Sequence, residues 1–109
     1  MLLRNALIIL TCLSTATAQV SFNNDIRPLL SNTCLRCHGP DENERKAKRR
    51  LDTRDGATAE NDGIRAIVAG NIHASELIYR IATDDPDELM PPPKDGKRFT
   101  AGQVALFKQ

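Results

Sequence analysis

Tryptophan is missing from these 109 residues, tyrosine occurs once, and aromatic residues together make up only 4%. Large rigid side chains are what small domains use to fill a centre, so the core of this chain is thin. A domain this short buries only about 60–65% of its unfolded surface and ordinarily leans on a disulfide, a metal or a cofactor. Net charge is lacking too, with 15 basic residues against 14 acidic ones. That balance argues against non-specific nucleic-acid binding, which draws on a cationic surface. No apolar run reaches the length of about 18 residues that a membrane span needs, so no transmembrane helix is expected in the mature chain. Repeats, low-complexity tracts and β-type alternation are absent as well, and the expected fold class is all-α.

What is present begins with an export signal. Arg4 supplies a positive start, Ala6–Leu13 is the apolar stretch, and Ala16-Thr17-Ala18 is a small-x-small cleavage site before Gln19. A buried N-terminal helix is the bland alternative, but the apolar stretch is short and runs into a Ser/Thr/Ala patch. A lipoprotein cysteine at Cys12 would want a smaller residue than Thr11 before it. Residues 1–18 are therefore expected to be a signal peptide and 19–109 an exported, periplasmic or cell-envelope domain. Cleavage would remove Cys12 and leave Cys34 and Cys37 as its cysteines.

Those two stand in Cys34-Leu-Arg-Cys37-His38, a C-x-x-C-H string. Its offset lets both thiols reach the two vinyl groups of a haem, while the adjacent imidazole turns toward the iron. Other chemistries share these residue types. A dithiol–disulfide redox pair would want a long helix after the string, and Gly39-Pro40 stops one at once. A zinc site could draw on Cys34, Cys37, His38 and His73, yet adjacent ligands suit a closed tetrahedron poorly and no second C-x-x-C exists. Covalent haem accounts best for the string.

The remaining segments are helical turns separated by loops. Asn23-Asn24-Asp25 offers N-cap chemistry, with Pro28 in a first turn and Ile26, Leu29 and Leu30 on one face. Residues 45–50 hold five bases in six positions, to be read as a solvated loop, an acidic-partner docking patch or a propionate clamp. Leu51–Asp55 opens a weak segment containing Gly56 and Gly63. Ser75–Ala82 should be a helix with Leu77, Ile78 and Ile81 on one face. Thr100-Ala-Gly-Gln103 reads as a capping box ahead of Val104, Leu106 and Phe107. Between them, Met90 precedes three prolines. A thioether is a soft, neutral ligand for haem iron, and prolines stiffen the segment into an extended form that can hold it there. His73, just before the Ser75–Ala82 helix, reads instead as a solvated loop residue.

From about Val20 to Gln109 the chain resembles the planctomycete-type cytochrome c domain. The strings that carry the resemblance are Phe22–Leu30, Cys34-Leu-Arg-Cys-His-Gly39, Arg50-Leu-Asp-Thr-Arg54, Ile67-Val-Ala-Gly70, Ser75-Glu-Leu-Ile78 and Met90-Pro-Pro92. The resemblance implies a small class I cytochrome c-like helical domain wrapped around one haem c, with thioethers at Cys34 and Cys37. It also implies His38 as proximal and Met90 as distal iron ligand. With both axial positions filled, the expected function is one-electron transfer to a redox partner protein, or to downstream domains of the same polypeptide. An iron left open by Met90 would suit a peroxidase or ligand sensor instead. Two departures stand out. Gly102 occupies the final helix where the family has a better helix former, and the chain stops at Gln109, which suggests a truncated last helix. Tyr79, Arg54 and Arg80 are the candidates for a propionate contact.

Overall fold

The computed structural model describes residues 11–14 and 18–109. The expected leader, residues 1–18, falls largely outside the described residues. A wide π-helical turn, Phe22–Ile26, leads directly into helix α1, Arg27–Thr33. The cap of this turn is Ser21 rather than the expected Asn23-Asn24-Asp25 group. Its hydroxyl accepts from the Asn24 N–H at 3.3 Å, and Asp25 accepts from the Ser21 N–H at 2.8 Å. Pro28 does sit in the first turn of α1, where a missing N–H costs nothing.

Helix α2, Arg54–Thr58, is a single capped turn, with the Thr53 hydroxyl accepting from the Gly56 N–H. It is followed by strands β1, Glu60–Asn61, and β2, Ile64–Arg65, paired antiparallel with Glu60 opposite Arg65 and Asn61 opposite Ile64. This ribbon overturns the all-α expectation, as does the share of the chain in loops and turns. The reason is local. Asp62 and Gly63 both take positive φ, +53° and +80°, the two-residue turn whose twist matches a hairpin. Strands of two residues are too short to show alternation in a sequence.

Helix α3, Glu76–Ala82, and helix α4, Ala101–Lys108, complete the fold and pack on one another. Ser75 begins α3 but turns its hydroxyl elsewhere, donating to the Val68 or Asn71 carbonyl and accepting from the Val68 N–H at 2.9 Å. Glu76 and Arg80 form an i,i+4 ion pair at 2.9 Å, oriented to suit the helix dipole. Arg98 then donates to the carbonyls of Ala82 and Thr83, which the end of α3 leaves unpaired. The capping box of α4 forms as the sequence implies, between Thr100 and Gln103. Leu30, Leu51, Leu77, Ile81, Phe99 and Val104 anchor the core, and Phe99 meets Phe107 with ring centroids 5.4 Å apart. Leu51, which ends the 34–51 loop, shares this core with Leu77 and Ile81 of α3, and the 83–92 loop bonds to Arg80 of the same helix.

Candidate functional site

The first of those loops starts where α1 ends. The Cys34 N–H donates to the Leu30 carbonyl at 2.7 Å, and the chain then leaves the helix. The Cys34 carbonyl accepts from the N–H groups of Cys37 (3.2 Å) and His38 (2.9 Å), folding the string into a tight turn. Gly39 is required for the exit. A Cβ there would lie 2.0 Å from the Leu35 carbonyl oxygen, a main-chain atom that cannot swing aside. The chain next returns over the string. Lys46 donates its N–H to the Cys37 carbonyl and Leu51 to that of His38, each at 2.7 Å, while the Arg45 guanidinium takes the carbonyls of Gly39 and Pro40.

This return path sets the imidazole. Nδ1 of His38 lies 3.3 Å from the carbonyl oxygen of Arg49. A carbonyl only accepts, so Nδ1 carries the proton and Nε2 keeps its lone pair free. Burial lowers the His38 pKa from 6.5, opposed by the hydrogen bonds to the backbone of Arg49 and Lys46, so the ring is neutral at neutral pH. The same residue braces the ribbon, because the Arg49 guanidinium donates to the Ala59 and Ile64 carbonyls at 3.2 Å each. Burial, and secondly the neighbouring Cys37, pushes the Cys34 thiol up to about 11. A redox C-x-x-C pair does the reverse, presenting an acidic thiol. Both cysteines are free.

Met90 arrives on the loop that follows α3 in the chain. Its N–H donates to the Arg80 carbonyl at 2.8 Å, and buried Leu89 and Pro91 flank it. Cys34, His38 and Met90 thereby meet on one cavity of about 320 Å³, walled in part by Leu51, Leu77 and Ile81. Arg49 and Arg80 also border it. Cys37, within the string, is half-buried and does not line this cavity. His73 is exposed and away from it, and among the described residues no group of three or more His, Cys, Asp or Glu side chains is placed to hold a metal. That counts against a zinc site built from Cys34, Cys37, His38 and His73. Of the three propionate candidates Arg80 lines the cavity; Tyr79 and Arg54 do not. Arg49 is the cavity residue that sequence reasoning could not single out, since nothing distinguishes it within its run of bases.

Residues 34–94, more than half of the chain, match the family model of Planctomycete cytochrome C. The chain belongs to that family. No curated protein and no solved structure matches it. The matched span runs from the cysteine string through the Met90 loop, so it holds the whole cavity wall just described. A cytochrome c domain implies haem c binding, haem-based electron transfer and a redox partner. The donor set fits that cofactor. A neutral imidazole with a free nitrogen, a thioether, a cysteine pair at the right offset, apolar walls and two guanidinium groups suit an apolar porphyrin that bears two carboxylates. Among the described residues, no helix is long and apolar enough to cross a membrane.

Proposed function

We propose that this cytochrome c domain holds one covalent haem c through Cys34 and Cys37, ligated by His38 and Met90, and acts as a one-electron carrier. The observation that carries the reading is the cavity itself, on which Cys34, His38 and Met90 converge from the loops that precede and follow α3 in the chain. When bound, haem supplies an Fe(III)/Fe(II) couple. The protein's part is positional. The Arg49 carbonyl fixes the tautomer of His38 and so presents Nε2 as the donor. The Met90 thioether offers a soft, neutral second ligand that favours the reduced state relative to a second imidazole. Leu51, Leu77 and Ile81 give the cavity an apolar wall, and Arg49 at its border provides positive charge for a carboxylate, Arg80 being paired there with Glu76. With His38 and Met90 both holding the iron, the chain would offer a substrate no open coordination site.

Met1–Ala18 is proposed as the export leader, with residues 19–109 the matured domain in the periplasm or cell envelope. Cytochrome c domains of this family are typically extracytoplasmic, which supports the placement. Its electrons would pass to a separate redox protein or to further domains of the same polypeptide.

The test is haem retention and ligand spectroscopy on protein matured with the c-type haem attachment machinery. Haem should stay with the denatured chain, and its alkaline pyridine spectrum should report both vinyl groups saturated. Replacing Cys34 and Cys37 by Ala should release it. Met90→Ala should remove the weak far-red sulfur-to-iron band of the ferric state, and His73→Ala should leave it intact. Haem that extracts freely from the wild type into acid solvent refutes attachment, and a far-red band that survives Met90→Ala refutes the ligand assignment.

A further inference from the structure

Tyr79 is an exposed aromatic residue in a chain that has few. It keeps 49% of its surface accessible, while its neighbours Leu77 and Ile81 on α3 fill the core. Packing therefore does not explain the ring. Its hydroxyl donates to the carboxylate of Glu88, two residues before Met90. The next side chain on α3 continues the grip. The Arg80 guanidinium donates to the Glu88 carbonyl at 3.4 Å, and the Arg80 carbonyl accepts the Met90 N–H at 2.8 Å. Two consecutive residues of one helix thus hold Glu88 by side chain and by main chain, and Met90 by main chain. The prolines that follow Met90 make no such bond to α3, because they have no N–H to give.

We infer that Tyr79 is a positioning residue for the sixth iron ligand: acting through Glu88, its hydroxyl latches the 83–92 loop to α3 and keeps the Met90 thioether at the cavity. The inference rests on the His38/Met90 reading above. The loop then has two states, latched with Met90 seated and unlatched with Met90 away. An external ligand for ferric iron binds only in the second, so its apparent affinity scales with the unlatched fraction. Losing one hydrogen bond to a carboxylate at an accessible site should raise that fraction about five-fold.

Cyanide binding to the ferric holoprotein, followed by the visible spectrum, reads this directly. Tyr79→Phe keeps the ring and removes the hydroxyl. It should raise the cyanide affinity about five-fold, as should Glu88→Ala, and the double variant should show no further gain because both changes break one bond. Glu88→Gln keeps an acceptor for the hydroxyl and should stay within about two-fold of wild type. On a Met90→Ala background, where no thioether gates the iron, Tyr79→Phe should change nothing. A role confined to folding would lower the melting temperature of Tyr79→Phe and leave cyanide affinity untouched, and that result overturns the latch. So does an effect of Tyr79→Phe that persists on the Met90→Ala background. If Met90→Ala itself leaves cyanide affinity at the wild-type value, Met90 is no ligand, and the underlying reading falls with the latch. If Met90→Ala opens the iron and Tyr79→Phe does not, the ligation stands and the latch alone is refuted.

Discussion

Adding one methyl group at Gly39 should cost this domain more than any other single carbon. The Cβ of Gly39→Ala would sit 2.0 Å from the Leu35 carbonyl oxygen and 3.0 Å from its carbon. Carbon and oxygen in contact are ordinarily about 3.3 Å apart, so one backbone segment must retreat by roughly 1.3 Å. Both segments are pinned. The Gly39 carbonyl holds Arg45 at 3.0 Å, the preceding His38 carbonyl holds Leu51 at 2.7 Å, and the His38 N–H holds Cys34 at 2.9 Å. Breaking two of these at about 1 kcal/mol each, together with residual strain, gives a loss of about 2–4 kcal/mol. In a domain of this size that lowers the melting temperature by some 10–25 °C. The matched control is Gly102→Ala in α4, where the nearest atom to a new Cβ is Thr100 Oγ1 at 3.9 Å. That change should stabilise by about 0.5–1 kcal/mol through helix propensity. Thermal unfolding of the two holoproteins, with haem content by the pyridine method, measures both. If Gly39→Ala matures with wild-type haem content and an unchanged melting temperature, the steric reasoning is wrong.

Ile81→Ala should cost about 3 kcal/mol, since Ile81 is only 3% exposed and borders both the core and the cavity. The urea midpoint should fall with its slope unchanged. Asp52 should give a small, pH-dependent effect. A hydrogen bond from Arg50 at 2.7 Å holds its carboxyl below the ordinary 3.8. A depressed carboxylate contributes stability above its unfolded value and loses it as pH falls through the folded one. Wild type should therefore out-melt Asp52→Asn slightly at neutral pH, and the two curves should converge as pH drops below 3.8. A gap that is constant across that range would show that the charge is not its cause.

The parts legible in the sequence are those in which neighbouring residues decide the outcome. The Ser75–Ala82 helix declares itself by apolar spacing, and the Thr100/Gln103 capping box by its four-residue pattern. Cys34-Leu-Arg-Cys37-His38 and Met90 stand out by chemistry, whatever path the chain takes between them. What escaped depends on that path. The ribbon escaped because Asp62-Gly63 joins strands of two residues, too short to alternate. Ser21 rather than Asn23 caps the first turn because a π-helical turn starts at Phe22, well ahead of the apolar spacing that begins at Ile26. Arg49 reaches the cavity only because the 45–51 loop folds back over the cysteine string, which no local pattern encodes. Tyr79 stands in the sequence as a candidate contact for the cofactor's carboxylates, whereas its partner is a protein carboxylate, Glu88.

Nδ1 of the His38 imidazole donates its hydrogen bond to a main-chain carbonyl, that of Arg49, rather than to an aspartate or glutamate. A partner of that kind is mutationally robust. Any residue at position 49 brings the same oxygen, so drift there can strip away the guanidinium and its hold on the ribbon and still leave the ring its acceptor. Nor does the partner titrate, so no change in its protonation reaches Nε2 as pH varies. As the proposed iron ligand, His38 would in this way keep a steady donor strength, because the acceptor beside it can neither be substituted nor protonated away.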